Sequence, residues 1–214
     1  MSLWWRLIRF GFRLLYNEMA FTYDLVSDVV SLRAWRCWQR AALKHLDAQP
    51  GARILELAHG TGNLQLDLNA AGYHVTGYDL SPYMGRITKR KLAQQKLPIR
   101  LARGRSQQLP FPAESFDALV STFPTNFIVA PETLHEVYRV LRAGGRFVIV
   151  PNGVLAAGGA VEAGIEWLYR VTGQRDNGAL DMTSFFADFG FDAYATQETC
   201  PRSIAQVIVA QKKV

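Results

Sequence analysis

The feature that most constrains this chain is a turn with two glycines, Ala58-His59-Gly60-Thr61-Gly62. It stands between a short apolar run (residues 52–58) and a segment of helical character (residues 63–71) that stops at Gly72. Glycine reaches positive φ freely and has no side chain, so Gly60 and Gly62 let the backbone turn sharply and approach a ligand closely. The helix that follows directs its free N–H groups at the same point, which suits an anion. Strand, glycine turn and helix in this order open a βαβ unit, which calls for further parallel strands downstream.

The rest of the chain supplies them. Residues 74–78 predict a second strand, ending at Asp79, and residues 82–95 a helix stopped before Leu97-Pro98. Residues 99–102 and 118–121 predict a third and a fourth strand, the latter after a turn at residues 111–115. Residues 132–141 predict a helix stopped at Gly144-Gly145, and residues 146–150 a fifth strand. Strand–helix alternation with short connections gives a parallel sheet covered on both faces. The end differs: residues 181–189 read as helix, then 191–196 and 204–211 as strands joined by a loop near Pro201. A link that short favours an antiparallel pair, because a parallel crossover takes a dozen residues or more.

With 214 residues the chain suits one domain with a full core. Hydrophobic residues at 49% and charged residues at 20% are ordinary for a globular protein, and there is no repeat or low-complexity stretch. The two cysteines, Cys37 and Cys200, are far apart and lack metal-ligand neighbours. The expectation is no disulfide framework, no metal site and a reducing cytoplasm.

The net charge is +6, and residues 1–46 hold seven basic against three acidic residues. Residues 3–16 are apolar and bulky, with Arg6, Arg9 and Arg13 on one helical stripe. Three arginines make this run too charged to span a bilayer, and it lacks the apolar core and cleavage site of a signal peptide. It reads either as a helix packed on the domain, closing the site, or as one lying in a membrane interface with Trp4 and Trp5 at headgroup level. Placed there, the charge favours a membrane or an acidic substrate over nucleic acid. Residues 17–46 continue as helix, with Tyr23-Asp24 in a break before Ser27 and Ser31 capping a helix over residues 32–46.

Asp79 lies 17 residues beyond Gly62, where a carboxylate can accept both ribose hydroxyl protons of a nucleoside cofactor. Four motifs then follow in order: Glu56-Leu57-x-x-Gly60-Thr61-Gly62, Tyr78-Asp79-Leu80-Ser81-x-x-Met84, Leu109-Pro110-Phe111-x-x-x-Ser115-Phe116-Asp117 and Glu136-x-x-Arg139-Val140-Leu141-x-x-Gly144-Gly145. In this the chain resembles class I S-adenosylmethionine-dependent methyltransferases, most of all the ubiquinone/menaquinone-type and other small-molecule branch. The likeness covers about residues 20–150.

That resemblance implies an α/β fold, a Rossmann-like doubly wound seven-stranded sheet with an antiparallel last strand, plus N-terminal helices. Residues 1–46 would form a helical cap or lid of the same domain and residues 47–214 the methyltransferase domain. It also implies roles. Glu56 orders the turn, and Ala58, His59, Gly60, Thr61 and Gly62 contact the methionine part of S-adenosylmethionine. Asp79 holds the ribose, and Leu80 and Met84 flank the adenine. Arg105, Ser106 and Gln107 lie along the adenine edge, Thr122 and Phe123 beside the sulfonium, and Tyr23 caps the cofactor.

Two positions depart from the family. Ala58 stands where glycine is usual, which predicts a shifted turn or weaker cofactor binding. Arg105 stands where an acid is usual and cannot accept from the adenine amino group, leaving Gln107 or a backbone carbonyl to do so. Tyr16, Asn126, Phe127 and Trp167 are substrate-pocket candidates on fold position alone, and Glu162 and Glu166 are exceptions in an apolar region that suggests a lipophilic or aromatic acceptor. No residue stands out as a catalytic base. His45, His74 and His135 read as structural or surface residues, Glu136 and Arg139 as packing residues, and Phe185, Phe186, Phe189 and Phe191 as core.

Two rival functions remain at this level. A nicotinamide-dependent oxidoreductase would want a third glycine where residue 65 is Gln, and the reversed last strand speaks against it. A degenerate cofactor-binding protein without turnover would suit Ala58 and Arg105.

Overall fold

In the first strand the sequence Arg-Ile-Leu-Glu-Leu places apolar side chains on both faces, which only a strand covered on both sides can bury. The computed structural model describes residues 18–156 and 182–214, with Phe10, Gly11, Arg13, Leu14, Gly159, Gly164 and Ile165. In it, β1 (Arg53–Leu57) buries Ile54 against one layer and Leu55 and Leu57 against the other. β2 (His74–Asp79), β3 (Leu101–Arg103), β4 (Phe116–Thr122) and β5 (Leu141–Val150) join it in parallel, in the order β3-β2-β1-β4-β5.

The far edge holds β6 (Gly153–Leu155), β7 (Phe191–Cys200) and β8 (Ser203–Lys212). β8 runs antiparallel to β5 on one side and to β7 on the other. β6 continues the β5 side of β8, so the eight strands among the described residues occupy seven positions. The expected sheet with its reversed last strand is therefore present.

One layer is formed by α1 (Tyr23–Val30), α2 (Trp35–Ala41), α3 (Asn63–Ala70) and α4 (Pro82–Gln94). The other is formed by α5 (Pro131–Val140) and α6 (Met182–Ala187). Trp38, Leu64 and Leu68 pack with Val75, Val120 and Val148 in the first layer. Leu134, Val137 and Phe186 pack with Leu119, Phe147 and Ile149 in the second. Arg139 pairs with Glu136 and donates to the Leu109 and Phe111 carbonyls, and Glu136 accepts from the Leu109 amide. The two thus tie the segment before β4 to α5, which is a packing role.

Three expectations need correction. The N-terminal helix breaks after Ser31 rather than before Ser27: Leu32 and Arg33 take φ of 51° and 68°, and Tyr23-Asp24 opens α1. Ser31 still serves the next helix, accepting from the Trp35 amide at 3.0 Å, but α2 covers only Trp35–Ala41, followed by a 3-10 turn. Helix α5 ends at Val140, because Leu141 turns extended to pair with Phe116. Gly144-Gly145 falls instead in an irregularity of β5, where the register jumps from Leu141 to Arg146.

The third correction concerns the cysteines. Cys37 of α2 and Cys200, the last residue of β7, form a disulfide across 163 residues, with Cα atoms 6.0 Å apart. Distance along the chain gave no hint of it, because the fold brings α2 onto the β7–β8 hairpin. There the Trp38 indole donates to Ser203 Oγ at 3.0 Å, and Glu198 pairs with Lys44 and His45. With the cysteines bonded, they no longer argue for a reducing compartment. Among the described residues no helix is long and apolar enough to cross a membrane.

Candidate active site

The sheet order reverses between β1 and β4, and in such sheets a crevice opens there beyond the carboxyl ends of the strands. The glycine turn closes β1 at this crevice. Ala58 donates its amide to the Tyr78 carbonyl at 2.8 Å, which holds the turn against β2. Ala58 takes φ of 54°, Gly60 55° and Gly62 78°. Ala58 thus sits in the left-handed region that glycine enters freely, at a cost of roughly 1–2 kcal/mol for a residue with a side chain.

The glycines differ in what surrounds them. A Cβ on Gly62 would lie 2.4 Å from the Thr88 methyl carbon, so that glycine serves packing against α4. A Cβ on Gly60 would meet nothing within 4 Å. Gly60 thus borders open space, as a ligand-approach position requires.

Asp79 ends β2 beside it. Its Oδ2 accepts from the Gly60 amide at 2.9 Å and its Oδ1 from the Ser81 amide at 2.7 Å. The helix-capping role falls to Ser81, whose hydroxyl accepts from the Met84 amide. Leu80 is exposed at the same strand end, whereas Met84 is buried under α4, so of these two only Leu80 is open to an adenine ring. Arg105, Ser106 and Gln107 follow β3, joined to the Asp79 end of β2 by the Gly104 amide donating to the Asp79 carbonyl. Arg105 is exposed, Gln107 is half-buried and Ser106 is buried.

His59 and Glu56 face away from the crevice. His59 Nδ1 donates to the Gly60 carbonyl at 2.9 Å, and its ring packs over Gly77 of β2. Burial pushes its imidazole down from the ordinary value, so it stays neutral. Glu56 accepts from Gln65 of α3 at 2.6 Å and is buried, and that burial pushes its carboxyl up to about 8. It braces α3 rather than the turn amides.

The N-terminal helices supply groups that the sequence did not single out. Asp24 of α1 accepts from Thr61 at 2.6 Å, Asn63 at 2.9 Å and Lys91 at 2.6 Å, and Lys91 also reaches Asn63. Burial raises the Asp24 carboxyl, but the bonds from Lys91 and Thr61 outweigh it and hold the group below its usual value. The anion at the start of α3 is therefore one of the chain's own. Nearby, Trp35 stacks on Phe123 at 3.7 Å between ring centres, and Tyr23 meets Trp35 edge-on at 6.2 Å. Phe123 follows Thr122, the buried end of β4, and takes φ of 52°. Strain of this kind collects at functional positions.

The structure thus brings Gly60, Thr61, Asp79, Leu80, Thr122, Phe123 and Tyr23 to one end of the sheet. Asn126 is exposed and Phe127 packs into the second core layer just beyond β4. Tyr16, Trp167, Glu162 and Glu166 lie outside the described residues.

The profile of the ubiE/COQ5 methyltransferase family matches residues 12–171. A demethylmenaquinone methyltransferase from Beutenbergia cavernae is 39% identical over 136 residues, which is 63% of this chain and 55% of that protein. One from Thermus thermophilus is 38% identical over 139 residues, 64% of this chain and 63% of that protein. The matches thus span little more than half the length of these relatives. Among solved structures, a protein assigned as an S-adenosyl-L-methionine-dependent methyltransferase from Methanococcus maripaludis superposes with a TM-score of 0.65 at 16% identity, covering 93% of this chain and 94% of that one. With residues 12–171 matched, three quarters of its length, the chain belongs to the ubiE/COQ5 methyltransferase family.

Proposed function

We propose that this protein transfers a methyl group from S-adenosylmethionine to a small lipophilic acceptor of the demethylmenaquinone type. The observation that carries the reading is the open space over Gly60, whose amide is held by Asp79, at the end of β1 next to β4, the strand that ends at Thr122. Family membership and the names of the relatives support the cofactor and the acceptor class.

The cofactor would supply an activated methyl on a sulfonium. Asp79 would turn its carboxylate from the turn amides to the ribose hydroxyls, and Leu80 would cover the adenine. Arg105 can only donate, so Gln107 or a backbone carbonyl would accept from the adenine amino group. Asp24 and Lys91, opposite charges beside Thr61, match the ammonium and carboxylate of a methionine zwitterion. In the transfer, the acceptor's electron pair forms the bond to the methyl carbon while the carbon–sulfur bond breaks toward sulfur, leaving S-adenosylhomocysteine. Holding the partners in line contributes as much as roughly 7–11 kcal/mol. The aromatic group of Tyr23, Trp35 and Phe123 gives a lipophilic ring a wall to lie against, and the N-terminal residues 1–46 act as a cap over the site.

Calorimetry tests the reading. S-Adenosylmethionine and S-adenosylhomocysteine are expected to bind and NAD is not; binding of NAD alone would overturn it. Binding with no turnover on quinol acceptors would leave a cofactor-binding protein without methyl transfer. Asp79→Ala should weaken S-adenosylhomocysteine binding by about a hundredfold, since charge-assisted hydrogen bonds contribute about 1.5–3 kcal/mol each. An unchanged affinity would remove Asp79 from the site. Residues 3–16 are proposed to rest in a membrane interface, and Trp4→Glu with Trp5→Glu in the full chain should then reduce flotation with anionic vesicles; equal flotation would refute that contact.

A further inference from the structure

Helix α1 is polar inside and apolar outside. On its inner side Ser27 is buried and Asp24 is held by Thr61, Asn63 and Lys91; Ser31, just past its end, is buried as well. On its outer side Leu25 and Val29, one turn apart, are exposed by 68% and 62%; Phe21 of the 3-10 turn before the helix is exposed by 76%, and Leu32, just past the helix end, by 42%. Residues four apart share a helix face, so Leu25 and Val29 form one apolar stripe, and Phe21 and Leu32 add exposed apolar surface before and after it. A helix whose outer side meets only water has the reverse pattern. Contiguous exposed apolar surface marks a place that something else covers.

Beside the stripe lies α4, tied to α1 by the Lys91–Asp24 ion pair at 2.6 Å and packed on the 3-10 turn Ala20–Thr22 that leads into α1. From Leu80 to Ala113 the chain has eight basic residues and no acid, more positive charge than the +6 of the whole protein. Arg86, Lys89 and Arg90 are exposed on the side of α4 away from the buried Met84, Thr88 and Leu92. None of these three has an acidic partner within 4.0 Å among the described residues. Lys96 and Arg100, also exposed, extend the basic surface beyond the helix.

We propose that this face docks on an anionic lipid bilayer. Phe21, Leu25, Val29 and Leu32 enter the boundary between headgroups and acyl chains, and Arg86, Lys89 and Arg90 meet the lipid phosphates. An apolar stripe flanked by cations is the pattern by which helices lie in a membrane interface. The acid-free flank selects negative lipids, at about a fivefold gain in partitioning for each basic residue near the surface. Nucleic acid would use the cations but leave the apolar stripe in water. The contact is separate from residues 3–16 and does not rest on the methyl-transfer reading. It places the bilayer against the outer side of the helix whose inner side reaches the glycine turn.

The test is flotation of the full chain with vesicles of phosphatidylcholine alone and of phosphatidylcholine mixed with phosphatidylglycerol. The wild type is expected to float only with the second. Leu25→Glu with Val29→Glu should abolish flotation. Arg86→Gln with Arg90→Gln should lower the partition coefficient roughly thirtyfold, with circular dichroism and S-adenosylhomocysteine affinity unchanged. The arginine pair is exposed and has no ion pair among the described residues, so it remains a test even if the glutamate pair misfolds. The proposal is overturned if the wild type floats with neither vesicle, or if both variants float as it does. It is also overturned if light scattering shows a dimer that Leu25→Glu with Val29→Glu makes monomeric while no form floats, which would give the stripe to a second copy.

Discussion

Replacing Glu56 with glutamine should stabilise the folded chain by about 3–5 kcal/mol at pH 8 and by almost nothing near pH 4. Glu56 is 1% exposed, and burial pushes its carboxyl from 4.5 up to about 8. The Gln65 bond opposes that rise and the charges of Asp79 and Asp67 add to it. The unfolded chain releases this proton near its ordinary value; the folded chain keeps it until about 8. Between those points the unfolded state binds fewer protons, so stability falls as pH rises, by about 1.4 kcal/mol per pH unit. Glutamine cannot ionise, and its carbonyl still accepts from Gln65. Urea unfolding of both proteins between pH 4 and pH 8 should therefore show a difference that widens steadily with pH. The contributions of Asp24, Glu136 and Glu198, whose carboxyls are held low, fade only as pH falls, and they largely cancel between the two proteins. A difference that does not change with pH would mean that Glu56 titrates normally.

Glu56 also shows where sequence reading stops. Its place next to the glycine turn is local and was legible; its partner is not, because Gln65 reaches it only once α3 folds back on β1. The strands and helices around the turn were readable for the same local reason. Residues 52–58, 63–71 and 74–78 predict what became Arg53–Leu57, Asn63–Ala70 and His74–Asp79, since apolar runs, glycines and caps act within a few residues. Asp79 was legible as a carboxylate at a strand end. His59 and Met84 were not legible in the direction they face: His59 turns into the layer under α4 and Met84 into the core. Asp24, Asn63, Lys91 and Trp35 escaped because each acts by tertiary contact, and in the sequence they read as ordinary polar or charged surface residues or as one more apolar step of a helix. The apolar residues on the outer side of α1 show the same limit. Their helical period marks a buried stripe in most chains, and here it is the stripe left in water.

Loss of the Cys37–Cys200 disulfide should be the largest single cost to stability that leaves every packed side chain in place. The bond closes a sequence separation of 163 residues, from α2 to the end of β7. On the chain-entropy account a loop of that size restricts the unfolded state by about 5 kcal/mol, and removal of native disulfides costs about 2–5 kcal/mol in practice. For a chain of this length each kcal/mol corresponds to about 2–4 °C in Tm. Cys37→Ser with Cys200→Ser, or reduction by a dithiol, should thus lower Tm by roughly 5–15 °C. The fold itself should survive, because α2 stays anchored by Trp38 in the first core layer, by its bond to Ser203, and by Arg36 and Arg40 paired with Asp67 of α3. The cap over the site depends on α2 as well, through Trp35 on Phe123. Thermal unfolding with and without dithiol should therefore separate a wild type that loses stability on reduction from a serine variant that is already low and does not respond. If dithiol leaves the wild-type Tm unchanged and the serine variant matches it, the two thiols are not bonded in solution. The first expectation, a reduced pair, would then stand after all.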